Sequence, residues 1–328
     1  MIEFGTLGTA NITPKALVYP CADEPRATIR CIAARDRARA EGFARWHHIG
    51  RVYDTYDEVV DDARINAVYN PLPISMHREW SIRALRAGKH VLCEKSFASN
   101  AREAEEMAAV AAETGLVLMD AFHYRYHPVF LRAREIYDSG LLGTIRQIDA
   151  EFRIAVRDPD NIRNIYELGG GVTMDIGCYP ISWARHITGE EPEAVTAQAV
   201  VGPPYVDSCL EAHLVFPSGV EARVCGDMRA DTTFSARLVV TGDQGTLTVI
   251  NPLAPQMGHS IITDIDGRRT VETRDRRSTY GYQLDAFIAA VEEGEPLHTD
   301  ADDAVAQMRV IDRCYEAAGL PVRGLELK

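Results

Sequence analysis

Ile2-Glu3-Phe4-Gly5-Thr6-Leu7-Gly8-Thr9-Ala10-Asn11-Ile12 is the stretch that decides the fold. Ile2–Leu7 reads as a short apolar strand, small residues follow, and a helix starts in Ile12–Tyr19. Working outward, the same alternation repeats. Thr28–Ala34, Ala67–Asn70, His90–Cys93 and Leu116–Asp120 read as strands, and Ala38–Trp46, Thr55–Asp62, Ser75–Ala87 and Asn100–Thr114 as helices. The last helix opens on an Asn suited to N-capping and closes before Gly115. Alternation of this kind predicts an α/β, doubly wound parallel sheet of the Rossmann type, with helices on both faces.

After His127-Pro128 the texture changes. One helix, Val129–Ser139, leads into segments that alternate apolar and polar residues: Ile145–Val156, Ala194–Val201, Cys209–Phe216, Val220–Met228, Ala236–Thr241 and Thr246–Ile250. Turn signals such as Pro217-Ser218-Gly219 separate several of them. The expectation is an α+β half built on a large, mainly antiparallel open sheet, covered on one face by helix Val172–Ile187 and others. Helices Gln283–Glu293 and Ala301–Ala318 close the reading. It divides the chain into a dinucleotide-binding domain, residues 1–122, and a substrate-binding and oligomerisation domain, residues 123–328.

At 328 residues the chain exceeds one ordinary core, and 46% hydrophobic with 25% charged residues is the composition of a globular protein. A net charge of −13 argues against nucleic-acid and anionic membrane partners. The Arg268–Arg277 stretch, with acidic residues interleaved, reads as a solvated hairpin and loop. No apolar run approaches the roughly 20 residues that span a bilayer, and the start shows no secretory signal. The seven cysteines are scattered without a CxxC pair, which fits reduced thiols in a cytoplasm and indicates no metal site.

The turn at Gly8 lies where a dinucleotide pyrophosphate binds, since small residues let the backbone approach and a helix N-terminus faces the anion. The G-x-G-x-x-G fingerprint is only partly met, with Ala10 and Thr13 in place of the later glycines, and a tight structural turn is the alternative. At the end of the second strand stands Ala34-Arg35-Asp36. Arg35 occupies the place of the acid that usually accepts from the ribose of NAD, and a guanidinium pairs with a 2′-phosphate. This favours NADP(H), with NAD(H) the alternative; an exposed strand-end arginine is the plainer explanation. Asp36 is expected to cap the next helix. Val91-Leu92-Cys93-Glu94-Lys95-Ser96 delivers a carboxylate and an amine to the carboxyl end of a strand, the ligand-binding edge of such sheets.

Gly8-Thr9-Ala10-Asn11-Ile12, Ala34-Arg35-Asp36, Asn70-Pro71-Leu72-Pro73 with His77, Gly88–Lys95, Asp120–Pro128 and Gly169–Pro180 together resemble the glucose–fructose oxidoreductase/inositol dehydrogenase (Gfo/Idh/MocA) family, in its NADP-dependent branch of dihydrodiol and D-xylose dehydrogenases and sugar ketoreductases. The resemblance implies an oxidoreductase that moves a hydride between the nicotinamide and a secondary alcohol, ketone or anomeric carbon of a sugar- or polyol-like substrate. It implies cofactor contacts from Gly8, Thr9, Ala10, Asn11, Ile12, Arg35, Asn70, Pro71, Leu72, His77, Glu94 and Lys95, and a homodimer or homotetramer. The family's lysine maps to Lys95, with Ser96 where its proline stands, and its Asp and Tyr map to Asp175 and Tyr179.

A phenol with pKa near 10 is a poor base at neutral pH, but a neighbouring ammonium favours the phenolate. Tyr179 is therefore expected to give or take the proton, Lys95 to orient and polarise the oxygen, and Asp175 to bond a neighbouring hydroxyl or tune the lysine. His123 and Arg125 are candidate substrate contacts, with packing as the alternative. Asn161, Arg163, Tyr280 and Gln283 are weaker ones. Two rivals stand beside this reading: redox-assisted sugar elimination or glycoside cleavage with a recycled nicotinamide, and a non-catalytic nicotinamide-binding regulator.

Overall fold

The computed structural model describes residues 1–202 and 205–325. The chain forms two compact units, Met1–His123 with Tyr280–Val305 and Tyr124–Thr279 with Ala306–Lys328.

The first unit is built on β1 (Ile2–Leu7), β2 (Ala27–Ala33), β3 (Arg51–Tyr53), β4 (Ala67–Asn70), β5 (His90–Cys93) and β6 (Leu118–Asp120). They lie in the order β3-β2-β1-β4-β5-β6 and every pairing is parallel. The order reverses between β1 and β4, so the carboxyl ends of those strands flank the crevice where such sheets bind ligands. Ile2, Phe4, Leu7, Val68 and Val91 are fully buried, each such side chain contributing about 1.5–3 kcal/mol by leaving water. Gly5 keeps β1 close to its cover: a Cβ there would lie 2.5 Å from Val59 Cγ1 and 2.7 Å from Ile65 Cδ1. The unit also takes back a late stretch of chain, since Phe287 on helix Thr279–Glu293 stacks on Phe4 at 5.5 Å between centroids. The single division at residue 122 did not allow for that return, because it was drawn from chain order alone. The short edge strand β3 also escaped the reading, three residues being too few for a period.

The second unit is built on β7 (Ile145–Arg153), β8 (Ala194–Gly202), β9 (Val206–Val215), β10 (Glu221–Asp227), β11 (Ser235–Gly242), β12 (Gly245–Ile250), β13 (Ser260–Ile265) and β14 (Arg268–Glu272). The order is β14-β13-β12-β11-β7-β10-β9-β8. β7 pairs with β10 in parallel, and the other neighbours are antiparallel. Helix Cys178–Thr188 is buried along its whole length. Its approach to the sheet depends on glycine, for a Cβ on Gly226 of β10 would lie 2.8 Å from the Gly177 Cα. The arginine-rich stretch expected as hairpin and loop contributes β14 to the ladder. The turn joining it to β13 has Asp266 and Gly267 at φ 50° and 74°, the paired left-handed residues of a tight hairpin. Among the described residues no helix is long and apolar enough to cross a membrane.

Candidate active site

In the first unit, the turn after β1 depends on Gly8, whose φ of +85° suits glycine. Its amide donates to Ala33 O at 2.7 Å, tying the turn to the end of β2. Gly8, Thr9 and Ala10 line a cleft with Arg35 on one side and Pro71 and Leu72 on the other. Arg35 is exposed. Asp36 caps helix Arg37–His47 by accepting from Arg39 N at 3.1 Å, as expected. Arg39 also lines the cleft, and its Nη2 donates to Thr9 O at 3.0 Å. Arg35 and Arg39 thus border the same cleft as the glycine turn, with the Arg39 guanidinium bonded to it. Tyr56 completes that end, its phenol pushed up by burial while Arg35 opposes the shift. The sequence reading missed Arg39 and Tyr56. Arg39 had a signal, lying in the first turn of the helix that Asp36 caps directly after the strand end that carries Arg35.

The residues at the ends of β4 and β5 divide into lining and support. Asn70 is fully buried, and its Nδ2 donates to Ser81 Oγ at 3.1 Å and to His77 O at 3.3 Å. His77 is buried as well, with Nδ1 2.9 Å from Ser96 O and Nε2 2.7 Å from Leu72 O. Desolvation lowers it to about 4 against the pull of those carbonyls. The ring clips the loop after β4 to the turn that carries Lys95. Glu94 accepts from Tyr69 Oη at 2.7 Å, and its amide donates to Asn70 O at 3.1 Å. Lys95 itself is half-buried, and its peptide bond to Ser96 is cis. Asn11 is exposed and Ile12 half-buried at the start of the first helical turn, beyond the residues that line the cleft.

Around Lys95 the charges are dense. Asp120, at the end of β6, is fully buried, and neither carboxyl oxygen has a partner among the described residues. Burial first, then Asp303 and Glu94, hold its pKa well above the usual carboxylate range, with Lys95 opposing. The His123 ring lies 4.1 Å from that of Tyr280, whose phenol is pushed far up by burial and by Glu94. The sequence reading passed over Asp120 because nothing in its spacing distinguishes it from a strand-end acid.

In the second unit, Gly169, Gly170 and Gly171 fold back on the preceding turn. Gly170 N donates to Ile165 O and Gly171 N to Arg163 O, both at 2.9 Å. A Cβ on Gly170 would meet both of those carbonyl oxygens at 2.6 Å. The expected uniform helix from Val172 is corrected: Thr173–Gly177 is a π-helical turn, followed by α-helix Cys178–Thr188. Such widened turns recur at functional sites. Asp175 lies within it and forms an ion pair with Arg163, which is further held by Asn161 Oδ1 at 3.1 Å from its amide. Tyr179 is nearly buried, its ring 5.7 Å from Phe152 and 6.3 Å from Tyr124. Arg125 lies over the Phe130 ring at 5.3 Å, and its Nε has no hydrogen-bond partner among the described residues.

Residues 2–122 match the model of an oxidoreductase family with an NAD-binding Rossmann fold, and residues 130–248 match the GFO/IDH/MocA C-terminal domain. The chain belongs to the GFO/IDH/MocA oxidoreductase family. It is 34% identical to D-xylose 1-dehydrogenase (NADP(+)) 2 of Haloferax volcanii, over 96% of this chain and 97% of that protein. It is 31% identical to dTDP-3,4-didehydro-2,6-dideoxy-alpha-D-glucose 3-reductase of Streptomyces violaceoruber, over 97% and 96%. Among solved GFO/IDH/MocA structures it resembles a 3-ketoreductase from Actinomadura kijaniata in complex with NADP and TDP-benzene, with a TM-score of 0.91, 29% identity and coverage of 96% and 97%. An aldose-aldose oxidoreductase from Caulobacter crescentus gives a TM-score of 0.89 at 26% identity, covering 97% of each chain.

Proposed function

We propose that this protein is an NADP(H)-dependent oxidoreductase of sugar- or polyol-like substrates, acting on a carbinol or anomeric carbon. The observation that carries the cofactor is the pair Arg35 and Arg39 lining one cleft with the glycine turn. The residues fit the group: Gly8 and the small Thr9 and Ala10 leave the backbone approachable in the cleft, and two arginines border it, matching a 2′-phosphate. When bound, the nicotinamide accepts or supplies the hydride. Gly8, Thr9 and Ala10 hold the pyrophosphate, Arg35 and Arg39 the ribose phosphate, and Pro71 and Leu72 the opposite wall.

The chemistry falls to Lys95 and Tyr179. In the oxidative direction the Tyr179 phenolate takes the hydroxyl proton while the Lys95 ammonium stabilises the charge gathering on that oxygen; in reduction the Tyr179 phenol returns the proton and Lys95 again stabilises the oxygen's charge. Asp175, its charge balanced by Arg163, bonds a neighbouring substrate hydroxyl. The relatives support this assignment. The Actinomadura ketoreductase was also solved with one tyrosine exchanged for phenylalanine and one lysine for alanine, and those two positions are separated by the same number of residues as Lys95 and Tyr179. We further place the protein in the cytoplasm as a homodimer or homotetramer, with free thiols and exposed Val200 and Val201 on β8 as support.

The test is steady-state turnover of D-xylose and related aldoses with NADP+, alongside reduction of a nucleotide-linked keto sugar. Lys95→Ala and Tyr179→Phe should each lose about 10²–10⁴-fold in kcat and still bind NADPH. Near-native kcat in either variant removes that residue from the mechanism.

A further inference from the structure

The segment following the last helix reaches back to the glycine turn through a closed, fully buried network. Asp207, the second residue of β9, and Arg323 are both fully buried. Asp207 Oδ1 accepts from Arg323 Nη2 at 2.6 Å and from Tyr315 Oη at 3.1 Å. Its Oδ2 accepts from Thr173 N at 2.9 Å and Thr173 Oγ1 at 2.5 Å. Arg323 Nε donates to Gly170 O at 2.8 Å, and the guanidinium carbon sits 4.2 Å from the Tyr315 ring centroid and 4.8 Å from that of Tyr166.

Each of these bonds has a consequence for the site. The residue before the π-helical turn, Val172, supplies no side-chain cap. Asp207 therefore satisfies the orphan amide of Thr173 from another element, doing the work of an N-cap at a distance. Arg323 fixes the carbonyl of Gly170, three residues upstream. Between these anchors lie Gly171 and Val172; Gly171 has φ +136°, and a Cβ there would lie 2.2 Å from Asp207 Oδ1 and 2.8 Å from Arg323 Nη2. Only glycine leaves room for the ion pair to come this close. Taking both charges out of water is costly, and an apolar filling would stabilise the same volume as well or better. A saturated, two-ended pair does something an apolar filling does not: it specifies one arrangement of the turn.

We propose that Asp207 and Arg323 are positioning residues, a clamp that sets the π-helical turn that carries Asp175 and leads into the helix that carries Tyr179, and so controls turnover without itself belonging to the reacting groups. This rests on the reading of Tyr179 as the proton-transfer residue.

The test compares Arg323→Met, Arg323→Lys and Asp207→Asn with the parent protein. Hydrogen exchange is followed by mass spectrometry on peptides covering residues 163–180, and kcat and KM are measured with D-xylose and NADP+. In Arg323→Met, exchange at 170–175 should rise at least tenfold above the rest of its unit. Its kcat should fall at least tenfold with a smaller change in KM, while NADPH binding stays within twofold. Arg323→Lys keeps the charge on Asp207 and the fold, and should recover part of both losses. Exchange that rises uniformly with lost global stability, with kcat per folded molecule intact, makes the pair merely structural and overturns the clamp. Unchanged exchange at 170–175 also overturns it, and this arm needs no sugar. Tyr179→Phe separates the two claims. If it keeps full turnover while Arg323→Met loses it, the assignment of Tyr179 fails and the clamp stands. If Tyr179→Phe is inactive and Arg323→Met is not, the clamp alone fails.

Discussion

Two buried ionisable residues near Lys95 titrate in opposite senses, and each gives a prediction. His77 is lowered to about 4 by desolvation, so its folded pKa lies below the unfolded value near 6.5. The unfolded chain takes up that proton first as pH falls. Stability present above pH 6.5 is therefore lost between about 6.5 and 4, at about 1.4 kcal/mol per pH unit from this one group. Urea unfolding of His77→Gln over that window should show a shallower dependence than the parent; an identical slope would mean that His77 titrates normally. Asp120 has a raised folded pKa, so its contribution is fully present below pH 3.8 and declines as pH rises. Asp120→Asn lacks that decline, and its stability relative to the parent should improve as pH rises above about 4. A constant difference would contradict the burial argument. Neither residue announced its role in the sequence. The resemblance implies a cofactor contact for His77, with a helix-surface histidine as the alternative; in the structure the ring is buried and both its nitrogens lie within hydrogen-bond distance of backbone carbonyls.

At the scale of elements, local chemistry was legible wherever a single residue decides the outcome. Asn100 caps helix Ala101–Thr114 by accepting from Glu103 N at 3.0 Å, and Gly115 closes it at φ +66°. The π-helical turn at Thr173–Gly177 was not legible, because its shape depends on partners far away in the chain, Asp207 and Gly226. The β13–β14 hairpin carried its Asp-Gly signal, but the polarity of Arg268–Glu272 concealed an edge strand. Gly115 and Gly171 offer a matched comparison. Both are left-handed, yet Gly115 faces open space while Gly171 faces Asp207. Gly115→Ala should cost about 1–2 kcal/mol from the backbone alone. Gly171→Ala should cost clearly more, read as the shift in guanidinium midpoint, since the clash adds to about 1–3 kcal/mol of backbone strain. Equal shifts would show that the Asp207 pair yields freely.

On the scale of the molecule, the alternation of strands and helices up to residue 120 and the period-2 pattern beyond it were enough to anticipate both sheets. The return of Tyr280–Val305 to the first unit was not, since nothing local marks a helix that packs on a strand nearly 300 residues earlier. The cofactor cleft lies wholly within the first unit, and Tyr179 lies in the second. Cofactor affinity and turnover should therefore separate by mutation, with Tyr179→Phe leaving NADPH affinity within a few-fold. The central claim is that Arg35 and Arg39 make this an NADP(H) protein, and fluorescence titration with NADPH and NADH, on the parent and on Arg35→Asp, tests it most directly. Charged hydrogen bonds of about 1.5–3 kcal/mol predict NADPH binding roughly tenfold to a hundredfold tighter than NADH, and collapse of that preference in the variant. Equal affinity for both cofactors in the parent, or a preference for NADPH that survives Arg35→Asp, would contradict it.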